Sequence, residues 1–446
     1  MPHEENRAPD PVHPSVDPNP RSSSHVALDA EWLKGLCKDS GAADAGLVEI
    51  DRPAISDQRG EILATLPSAR TLLVLACRLH RENMRTVFHS LTSMEFRHGW
   101  DSANRTARSI VAELTARGVR ALNIPAGFPF EVERWPGKMW LTSDKVLAEQ
   151  AGLGRMGWNR LILHPKFGST VVFGTILLDA ESTRYDQPLE VNPCIRCKLC
   201  VSVCPVAAIS ADGHFDFMSC YTHNYRERLG GFADWIERIV ASRSVGDYRQ
   251  RVNDRETMSM WQNLSIGAQT RCDRCVGVCP AGEEVIDEYR KDRKGYTDSF
   301  VKRFRQMEEP VYVVPGSDAQ AYVKTRFPHK IVRSVSNGIR PNSAKMFLEA
   351  LPLMFQRNQS DGLNAVFHFT FTGSESCPGT VAIRNRAIEV TEGLVGRPDL
   401  SVTADSRTWI SFLAKETNLL WALVTRKIRV KGSPRLMAAF AKCFPS

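Results

Sequence analysis

At 446 residues, with 43% hydrophobic and 24% charged side chains, the chain has the apolar material for two or three packed domains. Its longest apolar runs, such as residues 72–76, are strand-sized and fall far short of the roughly 18 residues a bilayer demands, which excludes a helical membrane span. A formal charge of +8 permits a nucleic-acid partner without requiring one. Twelve cysteines in a chain this long do not fit a small secreted disulfide scaffold.

Residues 1–28 are rich in Pro, Ser, Asp and Glu and read as a disordered tail, with neither an apolar signal core nor a twin-arginine pair. A cytoplasmic protein is the expectation. Residues 29–190 alternate helix and strand: "EWLKGLCKDSGAADAGLVEI", the compact strand "TLLVLACRL", and "SANRTARSIVAELTARGVRALNI" with Gly118 as a stop. A helix over 143–151, a glycine turn and two apolar strands complete an α/β domain. Residues 191–285 hold the clustered cysteines and 286–340 read as a basic linker. Residues 341–446 form a separate α+β unit: a helix over 343–356, the strands "AVFHFTFTG", "TVAIRNRAIEVTEG" and "LSVTAD", one apolar helix "RTWISFLAKETNLLWALV", the strand "KIRVKG" and a closing helix.

The cysteines carry the chemistry. "CIRCKLCVSVCP" places Cys194, Cys197, Cys200 and Cys204 in a C-x2-C-x2-C-x3-C-P run. Three thiolates on one tight loop reach three corners of a cubane, while the fourth, ahead of the proline, points to a second cluster. "CDRCVGVCP" adds Cys272, Cys275 and Cys279, and Cys220 between the two motifs completes eight. The expected sets are Cys194, Cys197, Cys200 and Cys279 on one [4Fe–4S] cluster, and Cys204, Cys220, Cys272 and Cys275 on the other. Zinc knuckles share the x2 spacings, but the x2-x2-x3 rhythm with both "CP" endings is what crossed cubanes require. Such a relay needs a terminal acceptor beside it and an external low-potential electron donor. Cys37, Cys77, Cys377 and Cys443 read as ordinary buried thiols.

Upstream, Gly152, Gly154 and Gly157 spell G-x-G-x-x-G, with Asp179 some way beyond. A dinucleotide fingerprint follows a strand and opens a helix, whereas here a helix leads in and a strand leads out. The glycines remain a place where a backbone approaches a flat ligand, or a plain helix cap.

The order "AEQAGLGRMGWNRLILHPKFGSTVVFGTILLD", the four-cysteine run, a lone cysteine before Tyr and then C-x2-C-x3-CP resembles epoxyqueuosine reductase and its reductive dehalogenase relatives over residues 30–285. The resemblance implies a nitroreductase-like α/β core, base-off cobalamin, and two clusters that reduce its cobalt. It places the corrinoid against Gly154, Gly157, Ile162, Gly168 and Phe173. Where that family carries an aspartate proton donor, this chain carries Lys138, with Asp144 nearby; an ammonium there donates a proton or binds an anion, but the epoxide substrate is put in doubt.

Past the linker, residues 341–446 resemble the sterol carrier protein type 2 domain, in place of the helical repeats common in the tRNA-acting enzymes. That implies an apolar pocket for a lipid or other hydrophobic small molecule, with Trp409, Ile410, Phe412, Leu413, Leu420 and Trp421 apolar enough to line a wall or fill an ordinary core. The whole reads as a reductase acting on a hydrophobic substrate. A ferredoxin-like electron carrier and a tRNA-modifying reductase are its rivals, the latter resting on Arg290, Lys291, Arg293, Lys294, Lys302, Arg303 and Arg305 as a phosphate track.

Overall fold

The computed structural model describes residues 27–134, 139–267 and 270–445. The first sheet runs Asp44–Glu49, Thr71–Arg78, Val171–Leu178, Ala121–Ile124, and every neighbouring pair is antiparallel. Its two central strands are apolar along nearly their whole length because helices cover both faces. On one face, Leu33 of helix Ala30–Asp39 and Ile110 and Leu114 of helix His89–Ala116 pack on Leu73, Leu75, Ile176 and Leu178. On the other, Ile62 of helix Ser56–Thr65 and Leu147 and Ala148 of helix Asp144–Gln150 pack on Leu72, Val74 and Leu177. Each fully buried aliphatic side chain in these layers is worth about 1.5–3 kcal/mol. The expected alternation of helix and strand is present, in a sheet without parallel neighbours.

The cysteine-bearing segment winds against one end of this sandwich. Gly168, with φ of +60°, turns its Cα onto the Ala281 carbonyl, where no side chain fits. Ser169 Oγ donates to the Val276 carbonyl at 2.9 Å and Asn159 Nδ2 to that of Cys275 at 3.2 Å. Between Cys220 and Cys272 stand the helices Leu229–Val240, Val245–Arg251 and Asp254–Ile266. They close around Arg226, only 1% exposed, which pairs with Asp234 at 2.8 Å and with Glu256.

The expected basic linker is folded. Helix Glu283–Lys291 leads through Arg293–Tyr296 and Lys302–Gln306 into a parallel strand pair, Pro310–Val313 and Ile331–Ser334, bridged by helix Asp318–Arg326. Glu309 ties this unit to the cysteine segment by pairing with Arg274 and, at 2.6 Å, with the buried ammonium of Lys330.

In the C-terminal unit the strand order is Ala387–Glu392, Cys377–Arg384, Ala365–Thr372, Leu400–Asp405, Ile428–Gly432, with one parallel pair in the middle. Asn385 and Arg386, both at positive φ, make the tight turn that returns the first hairpin. The apolar stretch expected as one helix is two, Ser406–Leu413 and Leu419–Val424. Lys415 turns left-handed and Asn418 caps the second helix, accepting from Leu420 N at 2.8 Å. Trp409 on the first helix packs among Phe347, Phe369 and Phe371, whereas Leu420 and Trp421 on the second are 70% and 49% exposed. The unit docks on the rest of the chain through Arg357 to Asp212 at 2.6 Å and through Asp318, which accepts from Asn358 N at 2.7 Å. Among the described residues no helix is long and apolar enough to cross a membrane.

Candidate iron–sulfur site and cleft

The eight cysteines of the two motifs and Cys220 fall into two electrostatic groups. Cys200 is acted on by Cys279, Cys197 and Cys194. Cys220 is acted on by Cys204 and Cys272, and Cys275 by Cys272, Cys220, Cys200 and Cys204. Cys37 and Cys77 lie apart in the hydrophobic cores of the first domain, and Cys377 and Cys443 belong to the C-terminal core.

The backbone around these sulfurs is arranged to donate to them. Trp158 N points at Cys194 Sγ at 3.4 Å. Amides of Leu199, Val201 and Ala281 face Cys197, Cys200 and Cys279, while those of Ile209, Val206 and Ala208 converge on Cys204. Two residues flanking Cys197, Arg196 and Lys198, adopt φ of 53° and 61°, curling the loop around the first group. Burial, with neighbouring thiols adding to it, pushes the Cys200, Cys220 and Cys275 thiols upward and Cys279 to about 12. Buried thiols ringed by amide donors ionise when a cation displaces their protons, which is the chemistry an iron–sulfur cluster uses. Among the described residues no three or more His, Cys, Asp or Glu are grouped so as to hold a metal ion.

Lys145 and Tyr225 stand beside the second group. Lys145 is exposed, yet desolvation by surrounding protein lowers its pKa, with the Cys220 thiol opposing; Lys145 Nζ donates to the Arg160 carbonyl at 2.9 Å. Tyr225 is also water-accessible, desolvated, and under the influence of Cys220 and Cys275. Beside Lys145, Asp144 is half-buried and accepts from Thr175 Oγ1 on the central strand at 3.0 Å. Burial raises its carboxyl to about 7, the Thr175 hydrogen bond pulling the other way. Gln58, fully buried, accepts from Ser143 N at 2.7 Å, and its Nε2 and the neighbouring Thr142 Oγ1 have no partner among the described residues.

The positions expected to line a corrinoid are all buried. Gly154 abuts Ile162 and the Leu163 carbonyl, Gly157 abuts Leu163, and Gly168 abuts Ala281, so close packing within the chain accounts for these glycines. Gly152, with φ of +69°, ends the helix Asp144–Gln150, which is the plain cap. Ile162 and Phe173 belong to the core under that helix. Lys138 lies outside the described residues. The Asp144–Thr175 pair, Gln58, Tyr225 and Trp158 carried no motif of their own; the Asp at the start of a helix was the one readable signal among them.

Comparison with known proteins bears on the first cysteine motif and on the C-terminal unit. Residues 191–210 match the 4Fe-4S binding domain and residues 350–445 the SCP-2 sterol transfer family. An epoxyqueuosine reductase of Pseudomonas aeruginosa is 31% identical over 27% of this chain and 32% of its own length. One of Shigella dysenteriae is 32% identical over 44% of this chain and 45% of its own length. This chain thus spans less than half of the length of either relative. Among solved structures, a catabolic reductive dehalogenase in complex with 3-bromo-4-hydroxybenzoic acid shares 15% identity at a TM-score of 0.38, over 61% of this chain and 35% of that one. The chain is thus similar over part of its length to epoxyqueuosine reductases and, over residues 350–445, to the SCP-2 sterol transfer family.

Proposed function

We propose that the protein is an iron–sulfur reductase in which two [4Fe–4S] clusters carry electrons to a site beside Asp144 and Lys145. The observation that carries this reading is the second group of thiols, Cys204, Cys220, Cys272 and Cys275, lying beside the water-accessible Lys145, next to Asp144. A relay that ends beside a protonatable carboxyl has what a reduction needs, electrons and a proton at one place. Asp144 gives up the proton, held toward the sheet by Thr175; Lys138 stands in sequence at the place of the family's aspartate. Lys145 orients an electron-rich group.

We assign cobalamin, bound base-off, to the same site; when bound it supplies a strongly reducing cobalt centre. This rests on the similarity to epoxyqueuosine reductases and on the site's place beside the thiols. Tyr225 and Lys145 would then contact the group, while Gly154, Gly157, Ile162, Gly168 and Phe173, packed within the chain, would support the site from behind rather than line it. The C-terminal domain brings the substrate, a hydrophobic small molecule. Its aromatic interior contains one buried donor without a partner among the described residues, Trp409 Nε1, placed to fix a single polar group of an otherwise apolar ligand.

Titrating anaerobically reconstituted protein with cobalamin tests the reading: stoichiometric uptake with a shifted corrinoid spectrum is expected. Iron without uptake would leave only an electron carrier. The tRNA reading draws on the basic stretch, but several of its cations are engaged within the protein. Arg303 donates to the Arg85 carbonyl and stacks on Phe300, and Arg290 lies 4.0 Å from Asp287. Salt-sensitive tRNA binding lost on neutralising Arg290, Lys291, Arg293 and Lys294 would restore that reading.

A further inference from the structure

The first group of thiols, half-buried but for Cys200, shares a surface recess with Trp158, Arg196 and Lys198. The indole of Trp158 stands over it, fixed by Nε1 donating to the Ser210 carbonyl at 2.9 Å and by its own amide on Cys194 Sγ. Two exposed cations lie on that indole, Arg196 with Cζ 5.7 Å and Lys198 with Nζ 5.6 Å from the ring centre. Both are held in left-handed backbone conformations, which cost a long side chain about 1–3 kcal/mol each and which Gly or Asn would occupy more easily. A third cation, Arg293, stacks 5.6 Å from the ring centre of Tyr289, whose hydroxyl feels the Cys197 thiol.

The acids of the neighbouring helix are mostly turned away from this rim. Glu284 pairs with Arg78 at 2.7 Å, Glu288 reaches Arg85 at 3.4 Å, and Asp292 accepts from Gly295 N at 2.8 Å. Asp287, beside Arg290, and Glu283 at the helix start remain as exposed acids. The cations around Trp158 therefore present positive charge over a partly exposed cluster site, whereas the second group lies beside Lys145 and Tyr225.

We infer that the surface formed by Trp158, Arg196, Lys198 and Arg293 is the electron-entry face, and that it docks a small acidic one-electron carrier protein. This rests on the cluster reading given above. Charge complementarity steers the carrier to the rim, and the apolar indole provides the dry contact above Cys194. One electron leaves the carrier's anionic flavin hydroquinone, which becomes the neutral semiquinone. The first cluster takes up that electron and no proton moves.

The test uses the full reconstituted chain and reduced acidic flavodoxin, with stopped-flow bleaching of the cluster absorbance as readout. Arg196→Glu with Lys198→Glu, and separately Arg293→Glu, which lies outside the cysteine loops, are compared with the unaltered chain. At low salt the second-order rate is expected to fall about tenfold or more in the double variant, and its salt dependence to flatten. Reduction by photoreduced deazaflavin, a small molecule, is expected to be unchanged. Rates for flavodoxin that stay within about twofold overturn the proposal. So does an equal slowing with deazaflavin, which would make these residues supports of the cluster itself, and so does lost RNA binding with flavodoxin unaffected. Association with oxidised flavodoxin on a sensor surface reads docking without electron transfer. A chain that takes up no iron thus refutes the cluster reading, while this arm still decides the docking face.

Discussion

Asp144 is the residue where environment and chemistry are most closely linked. With its carboxyl raised to about 7 by burial, the folded chain keeps a proton that the unfolded chain releases above about pH 4. Between these values the native state binds more protons, so stability falls as pH rises from 4 toward 7. Asp144→Asn removes that dependence. The variant should match the parent in urea near pH 4 and exceed it at pH 8, by an amount on the order of 4 kcal/mol at most; equal midpoints at both pH values would place the carboxyl in water. Seven of the cysteines stood out because their spacing follows cubane geometry, and the match of residues 191–210 to the 4Fe-4S binding domain covers the first four; Cys220 was reached only by counting to eight. Asp144 was legible only as a neighbour of Lys138; its raised carboxyl was not, because the burial that causes it appears only when helix Asp144–Gln150 lies across the sheet.

Among the elements, the parallel strand pair after the cysteines is joined to them by a buried charge cluster. Glu309 stands between Arg274 and Lys330, and the side chains of all three are largely buried. Arg274 in turn lowers the pKa of Cys204 and Cys272, partly offsetting their burial. Glu309→Gln leaves two buried cations without a counter-ion, a loss of about 3–5 kcal/mol, and should lower the thermal midpoint in calorimetry together with cluster retention. An unchanged midpoint would mean the cations are solvated. The stretch containing this unit read as a linker because its surface is basic; its strand "VYVV" is short, and parallel pairing with a strand some twenty residues on leaves no local signal. The break in the C-terminal apolar helix was readable, since "KETN" ends in a capping residue, but continuous hydrophobicity on both sides masked it.

At the scale of the whole molecule, two cores of different kinds are held in one chain. The C-terminal core is aromatic, with Phe369, Phe371 and Trp409 in mutual contact and Phe367 against Phe440, and shares no buried side chain with the core under the first sheet. Phe369→Ala should therefore cost that domain about 3–5 kcal/mol and produce an early transition in calorimetry while iron content stays unchanged. Iron lost in step would mean the two parts fold as one unit. The α/β and α+β texture of the two halves was readable from hydrophobic period. The docking between them, through Arg357 and Asp212, depends on single charged residues that no pattern marks.

Iron and sulfide analysis with electron paramagnetic resonance of the anaerobically reconstituted chain, beside Cys220→Ala, tests the central claim most directly. Two clusters predict about eight irons per chain and two interacting reduced signals, and the variant should lose the second cluster while keeping the first. About four irons in both proteins, or zinc in place of iron, would contradict it.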